Sequence, residues 1–113
     1  MNYKKVADAL LQEWCRATYS ECEMCGKPMA CCHHYHTKGA SSALRYVEDN
    51  LIPVCNGCHL GFHSKRAGEF NSRVVINRGV DWAKKLLKLK NNYVKTNVKY
   101  YKDIISKYEK YEN

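Results

Sequence analysis

Two C-x-x-C pairs, Cys22/Cys25 and Cys55/Cys58, constrain this chain more than any other feature of it. Cysteines at i and i+3 can face one ion across a tight turn, and Gly26 and Pro28 fit such a turn at the first pair. Two pairs supply four thiolates, the donor set of a closed tetrahedral zinc site. A structural zinc contributes roughly 10–16 kcal/mol in zinc-finger peptides, a scale above the net stability of most small domains. With 113 residues, the chain is expected to form one domain with a limited core, and such a staple matters there. Cys31 and Cys32 lie between the pairs, and either could replace one of the four ligands. As neighbours they cannot both join one tetrahedron without strain, which favours reading them as buried or bystander thiols.

Lysine and arginine number 19 against 11 acidic residues, a formal net charge of +8. That excess suggests a polyanionic partner such as nucleic acid, against the plainer reading of solubility alone. Seven cysteines, an odd number, with no secretory signal pattern at the start, argue against a disulfide framework and for a cytoplasmic protein. No apolar run approaches the roughly 18 residues of a membrane span.

The periodicity predicts an α+β chain in three parts. Residues 1–19 hold an amphipathic helix, with Val6, Leu10, Trp14 and Ala17 on one face and Lys4, Lys5, Asp8 and Glu13 available for the other. Cys15 sits on it as a free, partly buried thiol. Residues 20–68 hold the metal-binding core. Within it 32–37 read as extended, 38–43 as a loop, 44–47 as a second short strand, and 48–50 as a turn. The chain turns helical from Cys58, so that His59 and His63 share a face at i and i+4. Residues 69–113 form a basic helical extension, with 69–77 as a short helix or irregular link. Residues 81–111 read as one long helix capped by Asp81. In it Leu87, Val94, Tyr101 and Tyr108 recur every seven residues, a face that either folds back on the body or pairs with a second copy as a homodimer. Lys84, Lys88, Lys95, Lys99 and Lys102 cluster on another face, either a solvated surface or a DNA-binding stripe that tracks phosphates.

All five histidines, His33, His34, His36, His59 and His63, fall between the first cysteine pair and the end of the core. Adjacent residues on a strand point to opposite faces, so His33 and His34 cannot do the same job. One can ligate an ion while the other takes a proton from water. Histidine titrates near neutral pH without large perturbation, which suits it to that second role.

The pair at 33–34, Asn50 and the string CNGCH at 55–59 resemble the HNH, or ββα-metal, endonuclease family. The longer run HHYHTKGASSALRYVEDNLIPVCNGC (33–58) is similar to the phage recombination family NinG, also called Rap. The likeness extends weakly through GEFNSRVVINRG (68–79) and the basic terminus. The chain departs from the NinG pattern at His59, where it follows HNH nucleases in general. The resemblance implies a small zinc-stapled ββα-metal finger between an N-terminal helix and a long basic C-terminal helix. It implies that His33, His59 and His63 ligate a catalytic divalent ion, Mg2+ or Mn2+ or another, beside a structural Zn2+ on Cys22, Cys25, Cys55 and Cys58. His34 would be the general base, Asn50 would orient the loop and help fix His34, and Arg45 would contact the scissile phosphate or simply lie on the surface. A shift of register would instead make His34 a ligand and His36 the base. The implied activity is hydrolysis of DNA phosphodiesters, on branched recombination intermediates such as Holliday junctions or D-loops, in a bacterial host cell. Two other readings stand beside it: a non-catalytic zinc-stabilised nucleic-acid-binding module, and a site-specific HNH nicking endonuclease.

Overall fold

A computed structural model describes residues 1–112, and among these it has five α-helices and one two-stranded antiparallel sheet, an α+β arrangement. Helix α1 (Tyr3–Thr18) starts where the Asn2 side chain accepts the Lys5 N–H at 3.0 Å. Its buried stripe is Ala7, Leu10, Leu11 and Cys15, while Ala17, expected on the apolar face, is exposed. Cys15 is fully buried rather than partly so, and it is a free thiol.

The first cysteine pair sits on a knuckle closed by the Gly26 N–H donating to Cys22 O at 2.9 Å, and by an isolated bridge between Glu21 and Pro28. Gly26 has φ +78°, a conformation that a side chain would strain. Strand β1 (Cys31–His34) then pairs with β2 (Leu51–Val54), with His33 opposite Ile52 and His34 opposite Leu51. The second strand is thus Leu51–Val54, and within 44–47 the residues 44–46 form a turn while 47 has no regular structure. Buried polar bonds explain the difference: Asn50 holds the Leu44 carbonyl, so the segment before it folds inward instead of extending into a ladder.

The two faces of the sheet feed two cores. Cys32 and Leu51 pack with Ala7, Leu10 and Leu11 of α1 and with Tyr108. Ile52 and Val54 pack with Cys22, Phe62, Phe70 and Val74. Every residue of β2 is therefore buried, although the sheet has only two strands. The free edge of β1 is covered by a side chain. Gln12 of α1 accepts the Cys32 N–H at 2.9 Å and donates to Cys32 O at 3.0 Å, as a third strand would.

Helices α2 (Asn56–Phe62) and α3 (Ala67–Arg78) form a close pair. A Cβ on Gly61 would lie 2.4 Å from the Phe70 ring, so only glycine permits this approach. Residues 69–77, left open between helix and link, are helical within α3. Arg78 at its end ties three parts together. It chelates Glu23 of the knuckle, donates to Asp49 O and Leu51 O at 3.0 Å each, and lies over the Trp82 ring.

The single long helix expected over 81–111 is two helices, α4 (Val80–Lys90) and α5 (Val98–Tyr108). Asp81 is not the cap; Gly79, at φ +97°, precedes Val80 and turns the chain out of α3. The break has local causes. The Ser41 hydroxyl donates to Lys90 O at 2.7 Å and satisfies the end of α4. Asn97 caps the next helix by accepting the Tyr100 N–H at 2.9 Å. As a result the seven-residue series divides: Leu87 is 57% exposed on α4, while Tyr108 is buried on α5. Helix α5 folds back on α1, burying its apolar face against the α1 core through Tyr100, Tyr101, Ile104, Ile105 and Tyr108. Tyr108 OH donates to Glu48 and closes the end of this contact. No helix among the described residues is long and apolar enough to cross a membrane.

Candidate functional site

The cysteine cluster forms because the knuckle and the start of α2 meet at the end of the sheet. Cys22, Cys25, Cys55 and Cys58 bring their sulfurs within 4.8 Å of one another, so the cluster could hold a structural metal ion such as zinc. Cys55 occupies the N-cap of α2, and its sulfur accepts the Cys58 N–H at 3.4 Å. Four sulfurs each about 2.3 Å from one ion would stand about 3.8 Å apart. The Cys25 and Cys55 sulfurs are separated by 3.7 Å, which fits. The Cys58 N–H brings the Cys55 thiol down to about 7, so this sulfur can shed its proton first. Burial, and then the neighbouring thiols, push Cys58 up to about 12. Among thiols this close, the charge of one opposes ionisation of the next.

Cys31 and Cys32 lie outside this group. Cys32 is buried beside Cys15, whose thiol bonds to it and, with burial, drives its pKa upward. Cys31 Sγ is 3.5 Å from His59 Nδ1, on the histidine side of the sheet.

The second group is His33, His59 and His63, with ligating nitrogens within 4.8 Å of one another. Strand alternation turns His33, opposite Ile52, toward α2, and the i, i+4 spacing brings His59 and His63 to meet it. Their Nε2 atoms are 3.3 Å apart. Two imidazole nitrogens each about 2.0–2.1 Å from one tetrahedral ion would be about 3.3–3.4 Å apart, so the spacing suits a shared ion. His33 is wedged against Phe62, ring centroids 4.4 Å apart and nearly parallel. Burial, then the neighbouring His59 and His63, bring His33 down to about 3. An imidazole that stays neutral at all physiological pH is the form that binds metal. Burial also lowers His59, followed by His63. Three imidazoles without a fourth protein donor leave positions open on an ion, unlike the closed sulfur site. Were His59 to turn Nε2 to an ion, its Nδ1–H would donate to Cys31 Sγ, and that contact would fix the ring.

His34 stands on the other side of β1 but lines the same cavity of about 330 Å3 as His33, His59 and His63, together with Gln12 and Lys38. Its Nε2 is 2.9 Å from Arg45 O. A carbonyl only accepts, so Nε2 carries the proton and Nδ1 keeps its lone pair. Burial lowers the His34 pKa, an effect opposed by that same hydrogen bond. His36 does not line this cavity; its ring packs edge-on against Tyr35.

Asn50 is fully buried, and each of its polar atoms is engaged. Oδ1 accepts the His36 N–H at 2.9 Å, while Nδ2 donates to His36 O at 3.0 Å and to Leu44 O at 3.2 Å. It thus pins both ends of loop 36–44, whereas the His34 ring is held by Arg45 O instead. The Arg45 guanidinium, expected toward a phosphate, is chelated by Asp8 and is 14% exposed. The cation at the cavity is Lys38, in the loop that read as small and polar. The five lysines are all exposed but do not share one helix. Lys84 and Lys88 lie on α4, Lys95 in the link, and Lys99 and Lys102 on α5. Lys99 pairs with Asp103, and Lys102 lies over the Tyr3 ring.

No protein-family model, no curated protein and no solved structure matches this chain.

Asp8 and Gln12 were not legible as site residues. They lie one helical turn apart on α1, and both reach toward β1 and its loop. Their spacing was visible, but what that face meets depends on a tertiary contact. The cysteine geometry predicts about one tightly held zinc per chain by elemental analysis of folded protein. Cys22→Ser or Cys58→Ser should unfold the knuckle and α2, read as lost helical circular dichroism and cooperative melting. Folded, unchelated protein with no zinc would refute the assignment.

Proposed function

We propose that the chain is a metal-dependent DNA endonuclease of the HNH type. The observation that carries this reading is the gathering of His33, His59 and His63 around one point, with His34 in the same cavity and its Nδ1 unprotonated. A binding module needs the four cysteines and the charge, but has no use for an open imidazole site beside a free base. The element order β1, β2, α2 with Asn50 buried at the head of β2 also agrees with the resemblance of the motif residues to that family.

In this reading His33, His59 and His63 would hold the catalytic ion. A divalent ion bound there would neutralise charge on the scissile phosphate and the departing oxygen. All-imidazole donors suit zinc or nickel better than magnesium or manganese, which prefer oxygen ligands. His34 Nδ1 takes a proton from water as the water oxygen attacks phosphorus. The phosphorus–oxygen ester bond breaks, the departing oxygen takes a proton from solvent water to end as a hydroxyl, and His34 returns its proton to solvent. Arg45 O keeps the His34 ring in the required tautomer throughout. Lys38 is placed to attract a DNA phosphate to the cavity mouth, and the exposed lysines of α4 and α5 extend that attraction along the backbone. Branched DNA is the proposed substrate class, on the strength of the NinG resemblance in residues 33–58.

The test is cleavage of linear duplex, single-stranded and four-way-junction DNA with magnesium, manganese, nickel or zinc, and with chelator. The account expects ion-dependent cutting, preferentially of the junction, that falls about 10²- to 10⁴-fold in His34→Ala. Binding without cutting under every ion would leave a non-catalytic nucleic-acid-binding module in its place.

A further inference from the structure

The carbonyl that sets the His34 tautomer belongs to a segment with little regular structure. Around it the main chain has only two long turn bonds, Arg45 N–H to Ser42 O at 3.3 Å and Val47 N–H to Leu44 O at 3.2 Å. Asn50 steadies Leu44 from one side. The other side is held from α1, where Asp8 Oδ1 accepts the Arg45 Nε–H at 2.9 Å and the Tyr46 hydroxyl at 2.8 Å, while Oδ2 takes Arg45 Nη2. One carboxylate therefore grips two consecutive side chains, and the first of these residues carries the carbonyl facing His34. Paired guanidinium–carboxylate bonds fix orientation as well as distance. The Arg45 and Asp8 side chains are 14% and 27% exposed, so water weakens the grip less than it would at the surface.

We infer that Asp8 is a positioning residue for His34: through Arg45 it holds the carbonyl that keeps the His34 ring in its Nε2–H form. The relay runs from the Asp8 carboxylate to the Arg45 guanidinium, along the Arg45 main chain to its carbonyl, and on to the imidazole. It extends the site beyond the cysteine- and histidine-bearing core into the N-terminal helix. The catalytic meaning of this relay rests on the proposed role of His34 as a base; the positioning itself does not.

The relay can be read without DNA or added catalytic ion. Imidazole nitrogen NMR of the full chain should give His34 as the Nε2–H tautomer, and Asp8→Asn should convert it to a mixture of tautomers. Arg45→Met should do the same, and the double variant should add nothing further. Tyr108→Phe, which loses the Glu48 bond in the same α1–α5 region, should leave the His34 signals unchanged and controls for general loosening. In the cleavage assay Asp8→Asn should lower kcat about tenfold, the scale of losing a group that orients a functional imidazole, with little change in KM. Folded Asp8→Asn with wild-type His34 signals would overturn the inference, as would a tautomer mixture already present in the wild type. If the wild type cuts no DNA but the His34 signals respond to Asp8→Asn, the endonuclease reading fails and the positioning role stands.

Discussion

The meeting of the two cysteine pairs is the constraint on which the rest depends. It joins a knuckle before β1 to the first turn of α2, segments separated by the whole sheet in sequence. Cys55 caps α2, so whatever holds its sulfur also sets where that helix begins and which way it points. His59 and His63 ride on the helix so fixed, and His33 waits for them on the strand. A small chain gains twice from this arrangement. An ion held by the four sulfurs would supply stability that a limited core lacks, and it would set the geometry of the neighbouring imidazoles with no separate scaffold.

The sheet divides the labour between its faces. One residue's step along β1 sends His33 to the α2 side and His34 to the α1 side. The His33 side is secured by aromatic stacking on Phe62 and by Cys31 behind His59. The His34 side is secured by main-chain and carboxylate contacts from the Arg45 segment and α1. The closed sulfur site and the open imidazole site thus differ in chemistry because they differ in donors. A tetrahedral thiolate set is complete in itself, whereas three imidazoles leave positions for water or phosphate.

The parts of the site that were legible in the sequence are those whose spacing is local. C-x-x-C, the adjacent pair at 33–34 and the i, i+4 pair at 59 and 63 each need only strand or helix geometry to be read. The second strand was misplaced because Leu44–Val47 alternates as a strand does, while the hydrogen bonds that fold it inward come from Asn50. The terminal helix was read as continuous because apolar residues recur through 81–111. Its break depends on Asn97 acting as a cap and on Ser41, distant in sequence, closing α4. Arg45 looked free for phosphate because its partner, Asp8, comes from another element. The missing information was a polar group's partner, local for Asn50 and Asn97 and far along the chain for Ser41 and Arg45, which periodicity does not carry.

Cobalt titration of the metal-free protein, followed by optical absorption, tests the central claim of two sites of different character on one frame. The account predicts two cobalt ions per chain. One should give the intense sulfur-to-metal bands of a tetrahedral thiolate site, and the other weak bands from nitrogen donors, with His33→Ala removing only the second. A single ion per chain, or loss of the thiolate bands in His33→Ala, would contradict it.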